Sequence, residues 1–488
     1  MRNIISTKRV IRVSILHTLK PRPQAARPVI MTEKISRLAI LSAALALSAC
    51  ATYNDDTRTL RALYGAGEYS AAETAAAAVK KSAGDGANAL VADLELGKTQ
   101  FAAGNADAAA ATFEESNRLM EKFDDGGGAS LAYEASALLT NQSKLPYTGY
   151  NYDRIMASAY SALSNIERGD KQRAAVALKR LSNYQQDAAA KNAKRIAENA
   201  KKLSQASDAR TRSGVSAALA NPQVSAALAQ KYGNFNAFDA AKADYTNPFA
   251  HYLSGIFFLH NAEDQSDREN ALASLRLAAN ALPAGALEAD IREASDAART
   301  AKPRPRTYVI VEEGSACRRN QFRLDIPLWA FDDRLPNVAV NFPYLVKIPY
   351  SGSVKVFAAD AEVPLVKLAD MDTIIEREFN AELPNVVAKT ILSAVLKSSA
   401  QYAAARAAGD YGVLVNIAGS LYQGMLNDAD LRTWSTLPKR ILVASFPTPA
   451  SRKIRVNNAE VGLSGESNIV FVSAPASGVR TTVRAFKL

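Results

Sequence analysis

The run Lys302-Pro303-Arg304-Pro305 constrains the fold of this chain more than any other feature. Two prolines two residues apart fix extended backbone and stop a helix. Residues 51 to about 300 before them are Ala-rich with helix-type apolar spacing, whereas the chain after them turns to Val, Ile, Phe and Pro. The expected class is α+β. An α-helical repeat domain is expected over residues 50–302, followed by a β-rich C-terminal domain over 303–488 with an inserted helical hairpin at about 372–426. A chain of this length holds enough apolar residues for a sizeable core.

The helical half carries a weak internal repeat. One unit has Leu96-Gly97, a turn at Gly104-Asn105, then Ala109 and Phe113; a second has Ala162, a turn at Gly169-Asp170, then Ala174, Leu178 and Leu181. A third has Gly255, then Ala271, Leu275, Ala278 and Pro283, with about four extra residues in Glu263 to Asn270. Tyr64 to Val79, turning at Gly67-Glu68, is a poorer fourth. These offsets match the tetratricopeptide pattern, in which a small residue lets two helices touch and a large one fills the gap. Each helix pair then buries its apolar stripe against the next. Asn247-Pro248 reads as a helix start, with Asn247 as the cap and Pro248 where no N–H is needed. Gln185 to Lys231, rich in Ala, Lys, Ser and Gln, reads as a loosely anchored helical excursion broken at Asn221-Pro222.

In the second half, strands are expected at Tyr308–Val311, Leu324–Ile326, Val338–Val340 and Val354–Phe357. Helices follow at Asp372–Phe379 and Asn385–Arg406. Strands return at Arg440–Ser445, Lys453–Val456, Ile469–Val472 and Thr481–Phe486.

The address of the chain is read from Met31 to Cys50. Basic Lys34 and Arg37 precede the apolar run Leu38 to Leu47, and Leu47-Ser48-Ala49-Cys50 forms a lipobox-like tetrad. The run is too short for a spanning helix, which needs about 20 apolar residues. A lipoprotein signal at 31–49 is expected, with cleavage before Cys50 and acylation of its thiol. Residues 1–30, with basic residues scattered among apolar ones and prolines, read as an extension from a mispredicted start.

That cut changes the charge balance. The whole chain carries +11, but residues 1–49 hold nine Lys/Arg and one Glu, which leaves +3 from Cys50 onward. Nucleic acid is not an expected partner, since phosphate binding needs a clustered cationic face. With Cys50 acylated, Cys317 has no disulfide partner. Cys317 reads as an ordinary buried or loop cysteine, although Arg318-Arg319 beside it could lower a thiol pKa.

Few motifs carry chemistry. Gly97-Lys98-Thr99 lacks the earlier glycine of a phosphate loop, with Ala92 in its place, and reads as a repeat glycine followed by surface residues. His251 and His260 are not spaced as metal ligands, and no metal or cofactor is expected. Asp332-Asp333 and Glu312-Glu313 read as solvated turn or strand-end charges, because acid/base pairs converge from separate elements. Ala429 to Pro438 holds Asp430, Arg432 and Trp434 within five residues. It is either a recognition patch, since Arg and Trp dominate interface hot spots, or, as favoured, a corner in which Trp434 fills the core and Asp430 pairs with Arg432. Tyr411 to Leu426 is read as a buried helix rather than a membrane-contacting one, because Asn416, Ser420 and Gln423 interrupt it.

Leu145-Pro146-Tyr147 through Asp153, Asn247 through Gly255, and Ala429 to Pro438 together resemble a family of proteobacterial envelope lipoproteins with tetratricopeptide-like helices. The resemblance covers most of the chain after Cys50, and its last segment is the most specific. Genes of that family often lie beside those of an outer-membrane lipoprotein activator of peptidoglycan synthase, which implies a role in envelope or cell-wall assembly. The resemblance carries over no catalytic residues, and Cys317 stands where relatives have proline. Ala51 is not the aspartate associated with inner-membrane retention, so the periplasmic face of the outer membrane is the expected site. The expected function is a non-enzymatic, lipid-anchored scaffold for envelope proteins, the peptidoglycan-synthesis machinery among the candidate partners. The rivals are a cell-wall enzyme, which needs a convergent acid pair or an activated nucleophile, and a glycan or small-ligand binder using Trp329 and Trp434.

Overall fold

The computed structural model describes residues 53–124, 143, 145–205, 207, 209–234, 245–300, 302–327, 337–407 and 429–488. Leu47, Ser48, Ala49 and Cys50 lie outside them, as do Trp329, Asp332-Asp333 and Tyr411–Leu426.

Ala-rich sequence with glycine punctuation folds as a series of helices: α1 Tyr53–Asp56, α2 Arg58–Gly65, α3 Tyr69–Ala83, α4 Ala89–Ala103, α5 Ala106–Asp124, α6 Asn151–Glu167, α7 Lys171–Gln205, α8 Ala209–Ala220, α9 Pro222–Tyr232, α10 Pro248–Asn261, α11 Gln265–Asn280 and α12 Glu288–Thr300. Gly104 and Gly169 end α4 and α6 at φ of +85° and +80°, a conformation that costs glycine little and lets the chain reverse. The result is helical hairpins α2–α3, α4–α5, α6–α7 and α10–α11. A Cβ on Gly97 would meet the Phe113 ring at 2.9 Å, and one on Gly255 would meet Leu275 Cγ at 2.6 Å. Ala162, Ala174, Leu178 and Leu181 are likewise fully buried between α6 and α7. Asn247 caps α10 by accepting from Phe249 N–H at 3.1 Å.

The excursion Gln185 to Lys231, which is the outer part of α7 followed by α8 and α9, is better anchored than its composition predicts. Asn221 does break it, accepting from Gln223 and Val224 N–H at the start of α9. Val224 and Leu228, with Ala218, then pack on Ile326, Val340, Phe342, Val387 and Ile391. Its few large apolar residues all fall on one face, and that is enough.

The strands are β1 Arg306–Glu313, β2 Arg318–Pro327, β3 Asn337–Val346, β4 Val356–Ala358, β5 Ala361–Val363, β6 Val366–Asp370, β7 Arg440–Pro447, β8 Lys453–Val456, β9 Ala459–Gly462, β10 Asn468–Ala474 and β11 Thr482–Lys487. A five-stranded sheet runs β11-β10-β1-β7-β6, with β1 and β10 parallel in the register Tyr308↔Ile469 and the other pairs antiparallel. A second sheet runs β5-β4-β8-β9, and β2–β3 is a separate ribbon. Period-two alternation divides the large sheet between two layers. Tyr308, Ile310, Val443, Ile469 and Phe471 join the helical core. Val309, Val311, Ala444, Val470 and Val472 join the smaller sheet. Thr52–Leu488 forms one compact unit. The sequence change at Lys302–Pro305 thus marks a change of element type across which packing is continuous.

Between β6 and β7 the two expected helices are one, α13 Met371–Ala407, which runs through Pro384. Proline costs this helix a hydrogen bond, but Leu383, Val387 and Ile391 around it are buried against the β2–β3 ribbon and hold the helix together. Any return arm of the expected hairpin falls outside the described residues.

Candidate functional site

The most distinctive segment, Ala429 to Pro438, points its chemistry inward. Trp434 is 1% exposed, lies 6.0 Å from the Phe113 ring and 5.8 Å from Tyr160, and donates from Nε1 to Thr436 Oγ1. Arg432 grips Asp430 with two bonds of 2.8 and 2.7 Å, then donates to the carbonyls of Leu145 and Ala87. Burial opposes ionisation of Asp430, but the Arg432 guanidinium overrides it and holds the carboxyl below its usual range. Ser435 and Thr436 each give a backbone N–H and a hydroxyl to the carboxylate of Glu95 on α4. Burial pushes the Glu95 pKa up, and the Ser435 and Thr436 hydroxyls and the Ser435 N–H oppose that shift.

One turn further along α4, Lys98 Nζ sits 2.5 Å from Glu312 Oε2 on β1 and 4.0 Å from the Tyr160 ring centroid. Tyr160 donates its hydroxyl to the other Glu312 oxygen. Two expectations are corrected here. Lys98 and Thr99 are fully buried rather than surface residues, because α3, α5 and α6 all pack on α4 and the sheet closes its remaining side. Glu312 and Glu313 are buried too, since β1 lies between two layers; Glu313 takes Arg440 Nε at 2.5 Å and Val354 N–H at 3.2 Å.

Similar buried links recur between helices and sheet and between helices. Asp290 on α12 accepts from Ser445 and Tyr252 hydroxyls and from Arg306. His260 on α10 bridges Tyr308 (2.9 Å) and Ser467 (3.2 Å). Burial, followed by the charges of Arg306 and Lys171, lowers its pKa to about 4, so the imidazole is neutral. Glu378 on α13 accepts from Asn151 and Tyr152 N–H at the start of α6, where a carboxylate complements the helix dipole. Asp153 takes Tyr150 N–H and the Tyr147 hydroxyl; burial carries its pKa to about 7.

Most of these groups are held by fixed partners, although Asp153 Oδ1 and Arg306 Nε are buried without a hydrogen bond. A pocket lined by Tyr64, Tyr69, Glu312 and Ser473 has the size of a water molecule. Cys317 is 2% exposed, and burial, then Asp372, pushes its thiol up to about 12, so it stays protonated at neutral pH. Among the described residues no group of three His, Cys, Asp or Glu is placed to hold a metal, and no helix is long and apolar enough to cross a membrane. The structure therefore brings Asp430, Arg432 and Trp434 together, with Glu95, Lys98 and Glu312 added to them. The sequence signal for Glu95 and Lys98 was their spacing of one helical turn, with Asp93 nearby, in the mostly apolar Ala89–Ala103; Glu312 had none. No family model, curated protein or solved structure matches the chain.

Proposed function

We propose that this chain is a lipid-anchored periplasmic scaffold that binds other envelope proteins, tethered through Cys50 to the inner leaflet of the outer membrane. The observation that carries this reading is the tetrad Leu47-Ser48-Ala49-Cys50 directly behind the apolar run Leu38 to Leu47. Two acyl attachments at Cys50 would supply the several chains that durable anchoring requires.

The adaptor role draws support from the helical hairpins. The close approaches at Gly97–Phe113 and Gly255–Leu275 support reading the hairpins as tetratricopeptide-like, an architecture whose exposed helix faces serve as binding surfaces. Among the described residues the large apolar side chains left exposed are Val176, Leu277 and Val346. Val176 on α7 and Leu277 on α11 sit on the second helices of two hairpins, where a partner would cover them.

Cross-linking in cells with the intact lipoprotein tests the reading. Specific envelope partners are expected, and they should be lost from Val176→Glu/Leu277→Glu while the protein stays membrane-bound. Recovery of no envelope partner under conditions that preserve known complexes would end the scaffold proposal.

A further inference from the structure

The modest charge balance beyond Cys50 hides a strong separation of sign. Residues 188–234 hold eight Lys/Arg against two Asp/Glu, and residues 383–407 hold three Lys/Arg and no acid. These stretches carry nine net positive charges, so the rest of the chain from Cys50 is net negative by six.

The fold brings the two stretches into one lobe, within which Arg195 is paired with Glu378 and Glu382 on the N-terminal half of α13 and Lys397 is buried, so the open charge comes from the remaining Lys and Arg. Asn385 Nδ2 on α13 donates to the Ile196 carbonyl on α7 at 2.9 Å. Arg212 on α8 folds back onto the end of α7, donating to the Ser204 carbonyl at 3.1 Å. Along outer α7 Ala188 and Asn192 are buried and Ile196 and Leu203 half-buried, and the other side presents half-buried Lys191 and exposed Lys194 and Lys201 at helical spacing. Asp187 and Glu198 lie on the same stripe: Lys191 pairs with Asp124 at 3.4 Å and with Asp187 at 4.0 Å, and Lys194 with Glu198 at 3.9 Å, while the Lys194 side chain stays 75% exposed.

What this stripe lacks identifies its partner. Ala, Lys, Asn, Ser and Gln surround the lysines, and none of the exposed large apolar residues falls on it. A specific protein interface needs aromatic or aliphatic anchors at its centre; a smooth anionic surface needs only cations within a Debye length. We propose that the lobe formed by outer α7, α8 and the C-terminal half of α13 is an electrostatic contact for anionic phospholipid headgroups, which draws this end of the molecule down onto a bilayer. The choice of a bilayer rests on the Cys50 reading.

The test uses the processed protein reconstituted in vesicles. Ala197→Cys places one reactive thiol within the stripe, since Cys317 is buried, and a fluorophore there is quenched by nitroxide-headgroup lipids if the lobe meets the surface. Strong quenching is expected in phosphatidylglycerol vesicles and little in phosphatidylcholine. It should fall about tenfold or more in Lys191→Glu/Lys194→Glu/Lys201→Glu, and rising salt should abolish it. Lys→Gln replacements at the same positions should give an intermediate loss, and Arg268→Glu/Arg276→Glu on α11 none. Equal quenching in both vesicle types, or quenching unchanged by the lysine reversals, overturns the proposal. Preferential binding of a soluble acidic polypeptide over the vesicles does so as well. The acyl mass at Cys50, measured on the same preparation, shows separately whether the anchor reading holds.

Discussion

Lys98 illustrates what a single side chain does in this molecule. A buried ammonium is stable only while its partner is present, and Glu312 and the Tyr160 ring are its surroundings. Lys98→Met should cost about 3–5 kcal/mol, because it leaves the Glu312 carboxylate buried without its cation. Adding Glu312→Gln should recover a large part of that loss in urea unfolding; a strictly additive double mutant would contradict the pairing. Two other residues make opposite statements about pH. His260 has a native pKa of about 4, below its unfolded value, so between pH 6.5 and 4 only the unfolded chain takes up the proton and stability falls with acid. The penalty of His260→Gln should therefore shrink by about 3 kcal/mol on going from pH 7 to pH 4. Asp153, raised to about 7, stays protonated in the native state where the unfolded chain has ionised, so its contribution is lost as pH rises from about 4 to 7. The penalty of Asp153→Asn should shrink as pH rises over that range. Unfolding measured across pH checks both, and the same slope for the two variants would refute the assignment.

Helices show where a small residue outweighs helix propensity. Alanine is favoured over glycine by about 1 kcal/mol in a helix interior, yet a methyl group at position 255 would stand 2.6 Å from Leu275. Gly97→Ala and Gly255→Ala should therefore each destabilise by about 1–3 kcal/mol through overpacking. A stabilised variant in denaturant melts would show that the hairpins are not held by this contact. Most element positions were legible because glycine turns and Val/Ile runs leave local signals: β1, β7, β8, β10 and β11 fall on strands expected from alternation. The missed ones lack such signals. β5 is three residues long, β9 reads Ala-Glu-Val-Gly, and β6 breaks its alternation at a bulge between Lys367 and Ala369. Pro384 reads as a helix stop because its cost is local, whereas the packing of Leu383 and Ile391 that offsets it is tertiary. The inward-facing polar layer was illegible for the same reason. Lys98 and Glu312 lie 214 residues apart, and only the fold makes them neighbours.

At the scale of the whole molecule, buried polar links tie helix to sheet at Glu312 and Asp290, helix to the Ala429–Pro438 segment at Glu95, and helix to helix at Glu378. Glu95, Asp290, Glu312 and Glu378 bind their own chain, and the features proposed above to meet partners lie on the outside: apolar Val176 and Leu277 on the hairpins and the lysine stripe on outer α7. A body of this kind suits a tethered scaffold, and the tether is the central claim. Mass spectrometry of the N-terminal tryptic peptide from the membrane fraction tests it most directly. The account predicts a peptide that begins at an acylated Cys50 and ends at Arg58, carrying the mass of a diacylglycerol and a further acyl chain. An unmodified peptide running unbroken from Leu38 through Cys50 to Arg58 would contradict it.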